Sequence, residues 1–352
     1  MASQISNALV CEELYCGYAK DSAVRETAAS GGLVSAILIH LIKKGKVDAV
    51  IVSRIGTNGE KLCAISEWAQ TYDNILLANG SSYVYVPLLK HLRSHAEYKR
   101  IAVVALPCQA RHIRKWVEKS PNLRSRVVLT IGLFCRGAPT MRLYEDYLRK
   151  HGIDSKTVTS VRVSRSHLGG LLHFDLRGGQ TLDTSFFGFN AYRTIGVHAF
   201  PKCIRCTEHL AEDADISVGD IYNVEYKQRS IKHSAFLPRT NRGISVLHSM
   251  LENDEITCEY FGIARYLREF RKLDAFTGRL KERRLSARIM GIPMSSANYN
   301  EIGFRPLHVL AWLIYLINYR ISLKRWGRRL LFSLPAPAVR LMAIVFKLLS
   351  KI

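Results

Sequence analysis

Short apolar runs alternate with amphipathic segments along residues 1–150. Residues 31–44 have the periodicity of a helix, with Ser30 as a suitable N-cap, and residues 47–53 follow as a buried strand. The same alternation predicts, in order, a helix over 83–95, a strand over 101–106, a helix over 110–118 and a strand over 127–134. Buried strands alternating with helices are typical of the α/β class, with a mostly parallel sheet flanked by helices.

After residue 151 the apolar positions alternate with polar ones over shorter segments. Residues 157–165, 171–177 and 180–186 have the pattern of strands, and Gly178 and Gly179 provide a hairpin turn between the last two. We therefore predict three parts. They are an α/β domain over 1–150, a β-rich domain over 151–290 and a basic, amphipathic, helical tail over 291–352.

Four cysteines stand where a metal centre could form. Cys108 and Cys135 each follow an apolar strand, and Cys203 and Cys206 form a Cys-x-x-Cys pair in a loop. Because the ligand crevice of an open α/β sheet lies outside the carboxyl ends of its strands, both single cysteines are expected at that edge. Four thiolates suit a tetrahedral zinc ion or an iron–sulfur cluster, and the spacing alone leaves both open.

Whether the cysteines form disulfides depends on the compartment in which the protein is located. The amino-terminal residues lack the basic stretch and apolar core of a secretory signal, which favours a cytosolic, reducing environment over a disulfide framework. Cys63 and Cys258 are interpreted as buried apolar residues, and Cys11 and Cys16 are left unassigned.

The formal net charge of +22 raises the question of a nucleic-acid partner. We predict none, because no RNA-binding aromatic motif or basic helix before a zipper is visible. From Arg305 onward the chain has no acidic residue, and its cations are interleaved with apolar residues, as in helices that lie on a membrane surface. Residues 308–317 are too short to span a bilayer, so we expect a peripheral anchor at the inner face of the membrane. Packing against a partner protein is the alternative. The cations are Arg320, Lys324, Arg325, Arg328, Arg329, Arg340, Lys347 and Lys351.

Two clusters of small residues precede predicted helices. Ser30, Gly31 and Gly32 stand before the first, where free backbone N–H groups and the helix dipole favour a phosphate. An ordinary capped helix with glycines for close packing is the alternative. A second cluster opens the next helix, and the two helix starts could share a pyrophosphate. Its members are Gly80, Ser81, Ser82 and Tyr83.

Six segments, taken in order, carry a family resemblance. They are ASGGLVSAILIHLIKKGKVDAVIV, NGSSYVY, VALPCQARHIRKW, IGLFCRGAPT, FPKCIRCTEHLAEDADISVGDIYN and RTNRG, and they span about residues 10 to 260. The chain thereby resembles the beta-subunit family of coenzyme F420 hydrogenases and dehydrogenases. That family also includes plant hydroxymethyl chlorophyll reductase and bacterial members found with polysaccharide genes.

The resemblance implies a flavoprotein that holds FAD non-covalently beside one [4Fe-4S] cluster. Residues 1–150 would bind the flavin, with the two small-residue clusters near its nucleotide. The cluster ligands would be Cys108, Cys135, Cys203 and Cys206, so the resemblance favours iron–sulfur over zinc. Many members carry an amino-terminal ferredoxin-like module that this sequence does not show, so the electron carrier is expected to be a separate ferredoxin or F420.

A flavin beside a cluster can convert between two-electron and one-electron carriers. We therefore expect an FAD- and [4Fe-4S]-dependent oxidoreductase that reduces an unidentified substrate, in polysaccharide or cell-envelope synthesis by family analogy. The alternatives are an F420-dependent hydride-transfer subunit of a larger complex and a non-catalytic, zinc-stapled scaffold at the membrane. No residue is assigned as general acid or base. Arg136 is a candidate to neutralise the cluster or a flavin phosphate, and His112, His209, Asp215 and Asp220 are interpreted as structural or solvated.

Overall fold

The strands of the protein form one sheet. The computed structural model describes residues 9–94, 97–164, 170–221, 223–271, 279–294 and 303–350. The eleven strands in those residues are β1 (Tyr15–Gly17), β2 (Ala49–Thr57), β3 (Leu62–Ala69), β4 (Ile101–Ala105), β5 (Val127–Leu133), β6 (Val158–Ser164), β7 (Leu171–Leu176), β8 (Thr181–Ser185), β9 (Ile216–Asp220), β10 (Ser234–Pro238) and β11 (Glu259–Tyr260).

The strand order is β11-β1-β10-β9-β5-β4-β2-β6-β7-β8, and β3 pairs with β2 beside this path. The pairs β2–β4, β4–β5 and β5–β9 are parallel, whereas the outer pairs are antiparallel. The α/β class, with a large sheet flanked by helices, is confirmed. The parallel arrangement expected from the buried apolar runs is found at the centre, and short connections such as Gly178–Gly179 make the neighbouring hairpins antiparallel.

Helices occupy most of the remaining described residues. In chain order they are α1 (Ser22–Thr27), α2 (Leu33–Lys43), α3 (Tyr72–Leu77), α4 (Leu89–Ser94), α5 (Pro107–Lys119), α6 (Pro121–Arg126), α7 (Arg142–Lys150), α8 (Phe186–Thr194), α9 (Pro201–Ile204), α10 (Val224–Gln228), α11 (Asn241–Glu252), α12 (Ile263–Arg271), α13 (Leu280–Ile289), α14 (Pro306–Leu323), α15 (Arg325–Ser333) and α16 (Ala336–Leu349).

The helix predicted over 83–95 is wrong for its first half, and its last residue lies outside the described ranges. The chain is irregular before α4, which begins only at Leu89. Pro87 accounts for the difference, because a proline disfavours the helical region for the residue before it, here Val86. The Gln109 amide also donates to the Val86 carbonyl at 2.6 Å, which fixes this extended segment against α5.

The predicted capping of α2 by Ser30 is also wrong. The N-cap residue is Gly32, whose φ of 78° places it in the left-handed region, and it has no side chain with which to cap the helix. The Ser30 hydroxyl instead donates to the His233 carbonyl at 2.8 Å, next to β10.

Strand β3 is absent from the sequence-based prediction, although it pairs with β2 along its whole length.

The β-rich region continues the sheet of the first 150 residues. The first half of β2 pairs with β4 and its second half pairs with β6, so one long strand joins the two regions. Their apolar side chains share a core cluster that includes Ile55, Leu143 and Phe174. The boundaries at 150 and 290 therefore stay predictions, and the sheet runs across the first of them.

The C-terminal helices α14 to α16 pack on the body of the protein. Trp312, Tyr315 and Phe346 join the same core cluster, and each is at least 96% buried. The Lys150 ammonium of α7 donates to the Phe332 carbonyl at 3.0 Å and also to that of Leu334, between α15 and α16. The predicted helical character of this region is confirmed. One side of its helices is buried in the hydrophobic core.

Within the described residues, no single helix has both the length and the hydropathy to cross a bilayer. Helices α15 and α16 meet that standard only as a pair, and the pair is bent by 100°.

The close contact of Gly196 with α14 predicts a measurable cost for a methyl group. A Cβ at Gly196 would lie 2.6 Å from the Tyr315 carbonyl oxygen, and the residue has a φ of 88°. Gly152 also has a positive φ, 73°, but a Cβ there meets no atom within 4 Å. We expect Gly196→Ala to lower the free energy of unfolding by about 3 kcal/mol or more and Gly152→Ala by about 1–2 kcal/mol. Urea unfolding measures both, and equal losses would contradict the packing of α14.

Candidate functional site

Two of the predicted ligands lie at one edge of the sheet. Strands β4 and β5 are parallel neighbours, with Ala105 opposite Gly132 near their carboxyl ends. Cys108 follows β4 in the first turn of α5, and Cys135 follows β5 in a loop. The sheet therefore delivers both thiols to the edge where ligands bind in open α/β folds.

The loop after β5 brings the Cys-x-x-Cys pair to the same place. Cys203 lies in the short helix α9, and Cys206 follows it. The backbone N–H of Gly137 donates to the Cys135 sulfur and that of Ala138 to the Cys203 sulfur, each at 3.4 Å. One short backbone segment thus contacts thiols from two distant parts of the chain.

The four thiols are close enough to influence one another's ionisation. Burial raises the pKa of Cys108 to about 12, and the charges of Cys206 and Cys135 add to this shift. Burial also raises the pKa of Cys203 to about 12, with Cys135, Cys206 and Cys108 contributing. The pKa values of Cys135 and Cys206 are raised as well, again mainly by burial. The four groups therefore stay neutral at pH 7 unless a cation compensates their charge.

As folded here, these side chains are not closed around a point. Across the described ranges, no group of three or more His, Cys, Asp or Glu side chains has the spacing of a metal site. The donor chemistry nevertheless suits a soft metal, because all four candidate ligands are partly buried thiols and backbone N–H groups donate to the sulfurs of two of them. No disulfide joins any of the eight cysteines, all of which lie in described residues.

Two histidines support the backbone of the cysteine loops. The Nδ1 atom of His112 lies 2.6 Å from the Cys108 carbonyl oxygen, one helical turn away. The Nδ1 atom of His209 lies 2.8 Å from the Cys135 carbonyl oxygen, and the Cys135 N–H donates to the His209 carbonyl. Both contacts agree with the structural role expected for these residues.

Helices α13 and α14 hold the Cys-x-x-Cys loop from the other side. The Arg283 guanidinium, 1% exposed, donates to the Ile204 carbonyl at 3.0 Å and to the Cys206 carbonyl at 2.9 Å. It also stacks over the Trp312 ring at 4.5 Å. Burial raises the pKa of Tyr315, and the nearby Cys203 thiolate contributes to the shift. Nothing in the local sequence identifies this arginine, because it is one of several in a basic helix.

A cleft opens beside the cysteines, between α2, the segment before α4 and the loop after β5. It is a cavity of about 270 Å³, just below the range of roughly 300–1,000 Å³ of small-molecule sites. Most of its wall is apolar, with Leu33, Leu38 and Ile75 among the lining side chains. The predicted residues that line it are Ser30, Gly32, Gly80, Ser81, Ser82, Tyr83, Cys135 and Arg136.

Of the seven residues predicted to lie near the flavin, Gly31 alone does not line the cleft. Its N–H donates to the Ser234 hydroxyl at 3.0 Å, and a Cβ there would lie 2.7 Å from the Gly17 carbonyl oxygen. Gly31 therefore allows the chain to pass close to β1 and β10. Gly32 is the N-cap residue of α2, and the amino end of this helix, which has no side-chain cap, lines the cleft with Leu33 and Val34.

The second predicted cluster is positioned by Asn79. Its side-chain oxygen accepts hydrogen bonds from the Ser35 hydroxyl at 2.9 Å and from the Gly80 N–H at 3.0 Å. Its amide donates to the Val24 carbonyl and the Thr27 hydroxyl, both at 2.8 Å. Asn79 thus connects α1, α2 and the glycine turn, a role that the sequence-based prediction missed.

Two arginines bring positive charge to the cleft. Arg193 lies over the Tyr83 ring at 4.8 Å and donates to the Gly137 carbonyl at 3.2 Å. Arg136 lines the cleft next to Cys135. Arg193 therefore contacts both the loop after Cys135 and the second small-residue cluster. Through this contact the two predicted cofactor regions adjoin each other in one site.

Asp215 has a structural role rather than a solvated one. It is 4% exposed and accepts hydrogen bonds from the Thr130 N–H and the Thr240 hydroxyl, each at 2.8 Å. The Arg242 guanidinium lies 3.1 Å from the same carboxylate. These contacts explain the segment RTNRG, which begins α11 against this carboxylate. Asp220, by contrast, lines the cleft.

The buried position of Arg283 leads to a test of how the cysteine loop is held. Arg283→Met keeps much of the volume but leaves the Ile204 and Cys206 carbonyls without their donor. We expect a loss of about 2–4 kcal/mol in the free energy of unfolding and faster alkylation of Cys206 in metal-free protein. Urea unfolding and mass spectrometry after iodoacetamide treatment measure these effects. Arg288→Met, at an exposed position of the same helix, is the control and should change neither.

Two family models match this chain. The model described as coenzyme F420 hydrogenase/dehydrogenase, beta subunit N-term, matches residues 14–93, and the corresponding C-terminus model matches residues 98–261. Among solved structures, a chain of the F420-reducing [NiFe] hydrogenase complex from Methanosarcina barkeri has a TM-score of 0.56 at 18% identity. That alignment covers 74% of this chain and 89% of the other, and it supports the fold.

Curated relatives agree with the family models. A coenzyme F420-dependent sulfite reductase of Methanocaldococcus jannaschii is 25% identical to this chain. The alignment covers 78% of this chain and 42% of the reductase. A coenzyme F420 hydrogenase subunit beta of Methanothermobacter thermautotrophicus is 23% identical over 68% of this chain and 82% of its own length.

A chloroplastic 7-hydroxymethyl chlorophyll a reductase of Oryza sativa subsp. japonica is 26% identical over 66% of this chain, which spans 52% of that protein. The chain thus covers about half or less of two of these three relatives. The amino-terminal and carboxy-terminal models together take in most of the described fold, including the cleft and all four predicted cysteine ligands. The chain belongs to the beta-subunit family of coenzyme F420 hydrogenases and dehydrogenases.

Proposed function

We propose that the protein is an oxidoreductase that binds FAD in the cleft and a [4Fe-4S] cluster at Cys108, Cys135, Cys203 and Cys206. It would couple one-electron carriers to the two-electron reduction of a substrate. The observation that carries the proposal is the shared wall of the cleft. Residues expected near the flavin and the loop that holds Cys135 line the same cavity.

The cysteines would hold the cluster through four thiolates. Their raised pKa values mean that the thiols are protonated before loading, so that binding iron releases protons. The Gly137 and Ala138 N–H groups already donate to two of the sulfurs, and such hydrogen bonds influence the potential of a bound cluster. A zinc ion would use the same thiolates, so metal content decides between the two.

The walls of the cleft suit the two ends of a flavin nucleotide. The uncapped amino end of α2 offers backbone N–H groups and a positive dipole end for phosphate. Arg136 adds a positive charge to the same cavity. The apolar side chains of Leu33, Leu38 and Ile75 would exclude water from an aromatic ring. When bound, the flavin would supply exchange between hydride and single electrons.

The names of the relatives favour F420 as one carrier. Two of those described above are named as coenzyme F420 proteins, which supports a second candidate, an F420-dependent hydride-transfer subunit of a larger complex. A separate ferredoxin is the other candidate carrier. A role in polysaccharide or cell-envelope synthesis rests on family analogy and stays part of the proposal.

Metal analysis of ligand variants tests the cysteine assignment. Protein purified without oxygen is expected to be brown, to contain iron and sulfide, and to release FAD on denaturation. Cys108→Ser and Cys203→Ser should each lower bound iron at least tenfold, because each removes one of four thiolates. Cys63→Ser is the matched control, at a half-buried cysteine on β3, and should keep wild-type iron.

Two results would reject this assignment. Equal iron in all three variants would show that the cluster lies elsewhere. Colourless protein with stoichiometric zinc would favour the zinc-stapled scaffold.

Anaerobic reduction of the bound flavin distinguishes the carriers. F420H2 should bleach the flavin absorbance within seconds if F420 is the carrier, whereas reduced ferredoxin should do so if the electrons arrive singly. Sodium dithionite is the control for a reducible flavin. Bleaching by dithionite alone would exclude both carriers.

A further inference from the structure

Helix α16 is apolar on two opposite sides. Val339, Ala343 and Phe346 are buried against the body of the protein. Leu341 and Leu348, 60% and 51% exposed, lie on the other side, about two helical turns apart. Ile344 and Val345 fill the space between them and are 44% and 41% exposed. A core helix needs one apolar face, so the second requires another explanation.

The same arrangement recurs in α14 and α15. In α15, Gly327 and Leu331 are buried, whereas Trp326 and Leu330 are 61% and 52% exposed one turn apart. In α14, Leu310 and Ile317 are 47% and 43% exposed on the side away from the buried Trp312 and Tyr315. We define the outer face by eight of the exposed apolar side chains of these helices, which are Leu310, Ile317, Trp326, Leu330, Leu341, Ile344, Val345 and Leu348.

The charge of the region identifies what could cover this face. No Asp or Glu occurs after Glu301, so the three helices carry cations alone. Lys324, Arg325 and Arg329 are exposed on or next to α15, close in sequence to Trp326 and Leu330 of the outer face. Apolar side chains that alternate with cations match a surface of acyl chains and anionic headgroups, whereas nucleic acid offers no partner for the leucines.

The outer face is fixed in place by contacts on its inner side. Arg328 of α15 lies 3.6 Å from the Asp146 carboxylate, which is 2% exposed. Lys150 donates to the Phe332 carbonyl at the end of the same helix. The helices therefore present their apolar side chains without first having to fold on a lipid, which lowers the entropic cost of binding.

We propose that the outer face of α14, α15 and α16 docks on an anionic lipid bilayer, with its apolar side chains in the headgroup region. The helices lie on the membrane and do not cross it. The cysteine site would then lie about one helix layer from the lipid, because Trp312, on the inner side of α14, stacks against Arg283, which donates to the Cys206 carbonyl. This interaction does not depend on the proposed cofactors.

Vesicle binding of the full chain tests the proposal. Sedimentation with phosphatidylcholine vesicles is compared with sedimentation with vesicles of phosphatidylcholine and phosphatidylglycerol in equal amounts. We expect at least tenfold tighter binding to the anionic vesicles, and raised salt should weaken it. Trp326 emission should shift to the blue on binding, and the shift should be lost in Trp326→Phe.

Matched variants separate the outer face from the rest of the surface. Leu341→Ser with Leu348→Ser should weaken vesicle binding at least tenfold. Leu77→Ser with Val224→Ser, both 67% exposed elsewhere, should change it less than twofold. A full deletion after residue 305 is unsuitable, because it would also remove Trp312 and Tyr315 from the core.

The cations have their own pair of variants. Arg325→Gln with Arg329→Gln should weaken binding to anionic vesicles about 25-fold, since each cation near such a surface contributes about fivefold. Lys115→Gln with Lys119→Gln, exposed on α5, should leave binding unchanged. Each variant is checked for wild-type urea unfolding.

Three results would overturn the proposal. They are equal binding to both vesicle types, equal binding by the outer-face and control variants, and self-association of the wild type that the Leu341 and Leu348 changes abolish. The last would make the outer face an interface between copies of this chain.

Discussion

The parallel pairing of β4 with β5 is the constraint on which the site depends. Because the two strands run side by side in the same direction, the residues that follow them meet at one edge of the sheet. That edge receives Cys108 from the start of α5 and Cys135 from the loop after β5. The same loop then forms one wall of the cleft and donates two backbone hydrogen bonds to thiols. A change in this pairing would separate the cleft from the cysteines.

The C-terminal helices contribute to this site although they lie beyond residue 261, where the family models end. Arg283 donates hydrogen bonds to two carbonyls of the Cys-x-x-Cys loop, and this arginine is buried, as are Trp312 and Tyr315 of α14. The C-terminal helices therefore contribute to the stability of the cysteine loop, because their buried Arg283 forms part of its hydrogen bonding. Its outer side is nevertheless apolar and cationic, so one layer of helices has an inner structural face and the outer face for which we propose lipid binding.

Several segments that resemble the family have structural reasons for their composition. Gly31 lets the chain pass close to β1 and β10, and the segment RTNRG begins α11 on the buried carboxylate of Asp215. Gly32 and the turn at Gly80 line the cleft, with Asn79 fixing their separation. A shared motif therefore combines residues that shape the cleft with residues that only hold the sheet together.

The sequence by itself determined the α/β class, the central buried strands, the hairpin at Gly178 and Gly179, and the place of Cys108 and Cys135 after two parallel strands. These features depend on local apolar periodicity, turn chemistry and spacing, which are written in neighbouring residues. The start of α4 was missed although Pro87 is a local signal for it. The sequence did not determine the cap of α2 or strand β3, because the contact of Ser30 with His233 and the pairing of β2 with β3 override local helix and strand signals. Only the tertiary structure decided that one sheet crosses residue 150, that Arg283 holds Cys206 and that the basic helices bury one side. Those outcomes depend on contacts between residues far apart in the chain, which no local pattern encodes.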